Sequence, residues 1–146
     1  MKAISTQELK TPRLQLRVPQ VSDASALVAA GSLLMSEEEA RARLSEMASE
    51  ATKAFGFHWV IELDGVAVGR IKGWEVSPFN GFVQLGYDIA PSLRSCGLMT
   101  EAVGAVVRYL LIEAEANRVY CSVREGNMAS RRVCEKNGFR HEGVMR

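Results

Sequence analysis

The chain has 146 residues, with 18 Lys and Arg against 17 Asp and Glu and a formal net charge of +1 at pH 7. Hydrophobic residues make up 47% and charged residues 24%, a composition that excludes intrinsic disorder and is far less basic than a nucleic-acid-binding module. A chain of this length buries roughly 70% of its unfolded-state surface, which predicts one domain over residues 1–146. No apolar run approaches the ~18 residues of a membrane span, and residues 1–10 lack the apolar core of a signal peptide. Cys96, Cys121 and Cys134 fit no CxxC spacing, and His58 and His141 stand apart. Reduced thiols in a cytoplasmic protein, with no metal site, are the expectation.

Leu14, Leu16 and Val18 alternate with polar residues and predict a half-buried first strand. Ser22 reads as the N-cap of a short helix through Ala30. Ser36 and Glu39 match an S-x-x-E capping box, and the helix they open aligns Ala40, Leu44, Met47 and Ala51 on one face. From Phe55 the period changes. Phe57, Trp59 and Ile61 face one way, Asp64-Gly65 is a hairpin turn signal, and residues 66–74 return as the partner strand. Ser77-Pro78 and Asn80-Gly81 punctuate a loop before a strand over 83–89, which Pro91 ends. An amphipathic helix runs from about 99 to 116, with Ala102, Val103, Val106, Val107, Leu110, Leu111 and Ala114 as its apolar stripe. A strand over 118–123, a helix over 129–137 with Gly138 past its end, and a last strand from Phe139 complete the order. Antiparallel hairpins followed by two βα units predict a mixed sheet with helices packed on it.

Two stretches carry chemistry. The first runs from Leu85 to Ala102, where a strand ends, a polar loop follows and a strong helix begins. Backbone amides in a first helical turn lack intrahelical partners, and the helix dipole adds positive charge there, so such a place binds phosphate. Gly97 permits close backbone approach, and Arg94 offers a planar guanidinium. The second runs from Asn127 to Phe139. Taken singly, Asn127 is a helix N-cap, Ser130 a polar first-turn residue, and Gly138-Phe139 a helix stop followed by a core aromatic.

In this order and spacing the stretches resemble the GNAT superfamily of N-acetyltransferases, and within it the ribosomal-protein-alanine N-acetyltransferase branch. The resemblance opens on Thr11-Pro12-Arg13-Leu14-Gln15-Leu16-Arg17 and Ser22-Asp23-Ala24, and continues through Gly69-Arg70-Ile71. It takes in Arg94-Ser95-Cys96-Gly97-Leu98-Met99, similar to R/Q-x-x-G-x-G/A, and closes on Asn127, Ser130, Glu135-Lys136-Asn137-Gly138-Phe139 and Glu142-Gly143. Three residues depart from the pattern. Ser95 stands where many relatives have glycine, Met99 fills the final G/A slot, and Cys134 occupies the place of a tyrosine that other branches use to protonate the leaving thiolate. The resemblance implies an α/β (α+β) fold: a GNAT-type, mostly antiparallel mixed sheet with two splayed central parallel strands and helices on both faces. The branch continues past Gly143 into a further strand, so the final strand is expected to be missing.

By resemblance the cosubstrate is acetyl-CoA, held between the strands over 83–89 and 118–123, with no metal. The resemblance places Asp88 and Ile89 along the pantetheine arm, with the Ile89 N–H as oxyanion donor. Arg94, Ser95, Cys96, Gly97, Leu98, Met99 and Thr100 would cradle the pyrophosphate, Asn127 would lie near the sulfur, and Arg132 would reach the 3′-phosphate. Ser130 is the expected proton donor to the departing thiolate. An amine must lose a proton before it attacks. Asp88, Glu101 and Glu125 are the candidate bases, and none is assigned. Glu101 also suits a helix first turn for electrostatic reasons alone, and Cys96 serves as a loop residue through its backbone. The expected activity is acetyl transfer to a primary amine, on a protein N-terminus or a small molecule, in a ternary complex. The alternatives are a catalytically inactive acyl-CoA-binding module and a generic phosphate-ligand α/β domain. No nucleic acid or membrane partner is expected, and an open C-terminal sheet edge suggests a homodimer.

Overall fold

A computed structural model of the chain describes residues 1–145. Its strands are β1 (Leu9–Lys10), β2 (Gln15–Arg17), β3 (His58–Leu63), β4 (Val66–Ser77), β5 (Phe82–Ile89) and β6 (Arg118–Tyr120), side by side in chain order in one sheet. Each neighbouring pair is antiparallel except β5 and β6, which run parallel. A 3-10 turn (Val21–Asp23) leads into α1 (Ala24–Ala29), and α2 (Glu37–Ala51) follows. Helix α3 (Leu98–Arg108), a π turn (Tyr109–Glu113) and α4 (Met128–Lys136) complete the elements. Among the described residues no helix is long and apolar enough to cross a membrane.

Alternation along β3 sends its residues into two cores. Phe57, Trp59 and Ile61 join Leu16, Ile71, Val83 and Leu85 beneath Ala102, Val103, Val106 and Leu110. Val60 points the other way and packs with Leu27, Ala40, Leu44 and Met47 of α1 and α2. Trp59 stacks at 5.9 Å on Phe57 and meets Tyr109 edge-on at 5.7 Å, both favoured aromatic geometries. Ser36 Oγ accepts the Glu39 N–H at 3.1 Å and starts α2 as its capping box predicts. Asp64 (φ 50°) and Gly65 (φ 81°) are both left-handed, the requirement of the type I′ turn that joins β3 to β4.

Six expectations are corrected. The first helix is not capped by Ser22: the Asp23 carboxylate takes the Gln20 N–H at 2.9 Å instead. The two-residue β1, too short to show periodicity, extends the sheet beyond the predicted first strand. Regular α-helix ends at Arg108, and the wider π turn shifts the phase by one residue. Tyr109 and Leu110, three and four residues past Val106, stay on the buried face, while Leu111, counted in the apolar stripe, falls off that face by helical periodicity alone and is exposed. The strand expected over 118–123 stops at Tyr120, and residues 139–145 form no strand. Without a neighbouring strand to complete the ladder, an extended segment there has no hydrogen-bond partners. The parallel pair accordingly stands at the end of the sheet rather than its centre.

Candidate active site

The parallel pair is short. Phe82, Val83 and Gln84 match Arg118, Val119 and Tyr120, and strand pairing stops there. The rest of β5, from Leu85 to Ile89, has β4 on one side and, among the described residues, no strand on the other. Residues in an antiparallel ladder alternately face their partner and turn away from it. The Ala90 N–H donates to Val68 O at 2.8 Å, so the Ile89 N–H, one residue earlier, points away from β4 into the gap. Gly69, opposite Ile89, permits this close approach: a methyl group at its Cα would lie 2.6 Å from Asp88 O and 3.1 Å from Ile89 Cα.

The gap leads to the mouth of α3. Gly97 is left-handed (φ 76°) and is followed directly by the helix. The first mouth-closing bond is Glu101 N–H to Gly97 O at 3.1 Å, which leaves the amides of Leu98, Met99 and Thr100 without helical partners. No side chain caps them. Ser95 is also left-handed (φ 64°), a conformation that glycine adopts more freely than serine. Arg94 and Cys96 are exposed in this loop, whereas the Leu98 and Met99 side chains are buried and leave only their backbone to the mouth.

The loop is braced from the N-terminal segment, a contact sequence reasoning missed. Glu101 accepts the Thr11 hydroxyl, the Arg13 N–H at 3.0 Å and the Arg13 Nε–H at 3.0 Å. Arg13 also donates to Cys96 O at 3.2 Å. Burial pushes the Glu101 carboxyl up, but these hydrogen bonds outweigh it and hold the group below its usual range. Glu101 is therefore committed to structure. Asp88 is likewise engaged, accepting from Ser32 Oγ at 2.5 Å and Arg70 at 2.7 Å. Its side chain is thus tied to the turn after α1 and to Arg70 of β4. Glu125 is exposed in the turn before α4. Of the three candidate bases, Asp88 and Glu101 are held by other side chains and Glu125 lies in an exposed turn.

Helix α4 spans the gap. Asn127 Oδ1 accepts the Ser130 N–H at 3.1 Å and is its N-cap. At the far end, Asn137 Nδ2 donates to Thr100 O at 3.1 Å, and Gly104 makes room for that side chain. At the near end, Tyr87 Oη lies 2.8 Å from Ser130 Oγ and 3.3 Å from Cys134 Sγ. The Ser130 hydroxyl is thereby held beside β5, two residues from Ile89. Burial and the Cys134 contact push the Tyr87 hydroxyl up, so it keeps its proton. Cys134 and burial likewise push the neighbouring Cys121 thiol up. Arg132 is exposed, and Arg131 pairs with Glu135 at 3.0 Å. Trp59 is core, while Trp74 is exposed beneath Lys72. Among the described residues no cluster of three His, Cys, Asp or Glu could hold a metal ion.

The description "Acetyltransferase (GNAT) domain" matches residues 13–140. A Bacillus subtilis protein named a probable N-acetyltransferase is 32% identical over 114 residues, covering 75% of this chain and 62% of that protein. An Escherichia coli ribosomal-protein-serine acetyltransferase is 23% identical over 113 residues, covering 77% of this chain and 63% of its own length. The chain thus spans less than two thirds of either relative. A ribosomal L7/L12 alpha-N-protein acetyltransferase solved in complex with coenzyme A superimposes with a TM-score of 0.82 at 22% identity, over 95% of this chain and 87% of that one.

Proposed function

The chain belongs to the acetyltransferase (GNAT) family, and on that premise we propose that it transfers an acetyl group from acetyl-CoA to a primary amine by direct attack in a ternary complex. The observation that carries this reading is the unpaired stretch of β5, with the Ile89 N–H turned into the gap beside β6. Pantetheine lies along that free edge as an added strand would, using its amides where a ladder is missing. The Ile89 N–H then meets the thioester oxygen and stabilises the negative charge that develops on it during attack. The free amides of Leu98, Met99 and Thr100 take the pyrophosphate, with the Ser95–Cys96 backbone and Arg94 at the rim. Asn127 lies near the sulfur, and Arg132 reaches toward the 3′-phosphate. As the amine nitrogen bonds to the acetyl carbon, the carbon–sulfur bond breaks, Ser130 gives its proton to the thiolate, and the proton released by the amine through water restores the serine hydroxyl.

The names of relatives that act on ribosomal proteins support one acceptor class within this reading, the α-amine of a protein N-terminus. With Asp88 and Glu101 engaged in structural contacts, the amine's proton leaves through water rather than to either of them. The outer edge of β6 carries no strand among the described residues, and a second copy pairing there would make a homodimer, measurable by light scattering. Three free cysteines fit a reducing cytoplasm.

The test is thiol release from acetyl-CoA with peptides bearing N-terminal serine or alanine and with small primary amines. Saturable, amine-dependent release supports the reading. Binding of CoA without release for any amine identifies an acyl-CoA-binding module instead, an outcome the engaged carboxylates make worth testing. Equal affinity for ATP or NAD overturns both. Ser130→Ala is expected to lower kcat by about 10²-fold while KM for acetyl-CoA stays within twofold; an unchanged kcat returns Ser130 to a helix-turn residue.

A further inference from the structure

A serine hydroxyl is a weak acid, and one that gives up its only proton needs its oxygen held and its proton aimed. Tyr87 stands where that can be done. It rises from β5 on the face that carries α3 and α4, with its ring packed against the buried core. Its Oη lies 2.8 Å from Ser130 Oγ, 3.2 Å from Ser130 O and 3.3 Å from Cys134 Sγ. A phenol has a single proton to donate. The Ser130 carbonyl sits in the first turn of α4, where it takes the N–H four residues on, and Cys134 Sγ, which the Cys121 and Tyr87 contacts hold below the usual thiol range, lies farther off and also has Cys121 beside it. Ser130 Oγ is the closest of the three and the one with no other donor among the described residues.

We propose that Tyr87 is a positioning residue for acetyl transfer: its hydroxyl donates to Ser130 Oγ, fixes the serine rotamer, and leaves the serine proton directed at the departing sulfur. This rests on the reading of Ser130 as the proton donor. A hydroxyl that accepts a hydrogen bond also donates a stronger one, by roughly 10–30% per bond. Burial keeps the Tyr87 hydroxyl protonated, so a proton to donate is present. Tyr87 itself touches neither substrate and undergoes no net proton transfer.

The experiment needs no acceptor amine. CoA is bound to the protein and its thiol is titrated by thiolate absorbance, with desulfo-CoA as the blank for the protein's own cysteines. Donors aimed at the sulfur stabilise the thiolate, so Tyr87→Phe, which keeps the ring and its packing, is expected to raise the titration midpoint by about 0.5–1 pH unit. Ser130→Ala is expected to raise it by at least as much, and the double variant no further than Ser130→Ala alone. CoA affinity of Tyr87→Phe stays within twofold of wild type, because its role is exerted at the sulfur, and a small fall in melting temperature reports the lost tie between β5 and α4. If Ser130→Ala moves the midpoint and Tyr87→Phe does not, or if the two shifts add in the double variant, Tyr87 does not act through Ser130. If Ser130→Ala leaves the midpoint unchanged, the Ser130 assignment falls first and the Tyr87 inference with it. If CoA does not bind, the acetyltransferase reading itself is overturned.

Discussion

Replacing Glu101 by glutamine separates the architecture of the α3 mouth from its chemistry. The carboxylate is 18% exposed and takes hydrogen bonds from the Thr11 hydroxyl, the Arg13 N–H and the Arg13 Nε–H. Glutamine keeps one acceptor oxygen and sets its amide N–H₂ against at least one of those donors. Hydrogen bonds to charged groups contribute roughly 1.5–3 kcal/mol each. Arg13 is 48% exposed, and solvent screening reduces its share. The expected cost of Glu101→Gln is about 1.5–2.5 kcal/mol, or roughly 5–10 °C in Tm for a chain of this size. The pH dependence has a definite sign. The folded state holds the Glu101 carboxyl below its usual range, so its stabilisation is complete above the unfolded value of about 4.3 and is lost as pH falls through the lower folded value. Thermal melts of both proteins from pH 8 to pH 3 should show a constant gap down to about pH 5.5 that narrows below pH 4. No gap at neutral pH, or a gap that persists unchanged in acid, would refute the brace. Because Glu101 is committed to Thr11 and Arg13, kcat at 25 °C is expected to fall less than about threefold. A loss near the 10²-fold or more of a missing base, with the fold intact, would reassign it.

Gly97→Glu places a carboxylate at the mouth of α3 on a backbone with φ 76°, and CoA affinity measured by calorimetry is expected to drop about 100-fold or more through repulsion of the pyrophosphate; an unchanged Kd removes this loop from the site. Ser95→Gly relieves a left-handed serine (φ 64°), at the expense of a more flexible unfolded chain. The net gain is about 0.5 kcal/mol, seen as a Tm rise of roughly 1–2 °C, whereas a fall would show that the serine side chain holds the loop. Gly69→Ala forces a methyl group to 2.6 Å from Asp88 O. Because backbone must move to relieve that contact, the expected loss is about 2–3 kcal/mol by urea unfolding, with weaker CoA binding as Ile89 is displaced; wild-type stability would mean that β4 and β5 tolerate separation.

Features written within a few residues were legible in the sequence. The Ser36–Glu39 cap, the Asp64-Gly65 turn and the Ala40, Leu44, Met47 and Ala51 face all appear as predicted. So does the left-handed Gly138 beyond α4. Their determinants are local sterics and helical periodicity, which a sequence carries openly. The Glu101 brace joins residues 90 positions apart, and the Tyr87–Ser130 contact spans 43. No periodicity encodes such pairs, and each partner has a bland role of its own: Thr11 in a loop, Tyr87 in a strand, Glu101 in a helix first turn. The π turn escaped for a related reason. An uninterrupted apolar stripe from Ala102 to Ala114 fits a straight helix as well as one that gains a residue after Arg108.

The gap beside β5 is an absence of pairing, and no residue type announces that. What the sequence does supply is the set of ties that keep the absence open. Gly69 lets β4 press against β5 and fixes the outward turn of Ile89. Thr11 and Arg13 hold the mouth of α3 through Glu101. Helix α4 then works as a strut, fastened to β5 at Ser130 and to α3 at Asn137. Those two points are about 10 Å apart at 1.5 Å per residue, a span that keeps β6 from closing onto the rest of β5. A fourth residue of pairing between β5 and β6 would bring Cys121 into the ladder opposite Leu85, and the α4 end bearing Ser130 and Cys134 would have to give way. The same contact that positions the Ser130 hydroxyl therefore also opposes closure of the cleft it faces.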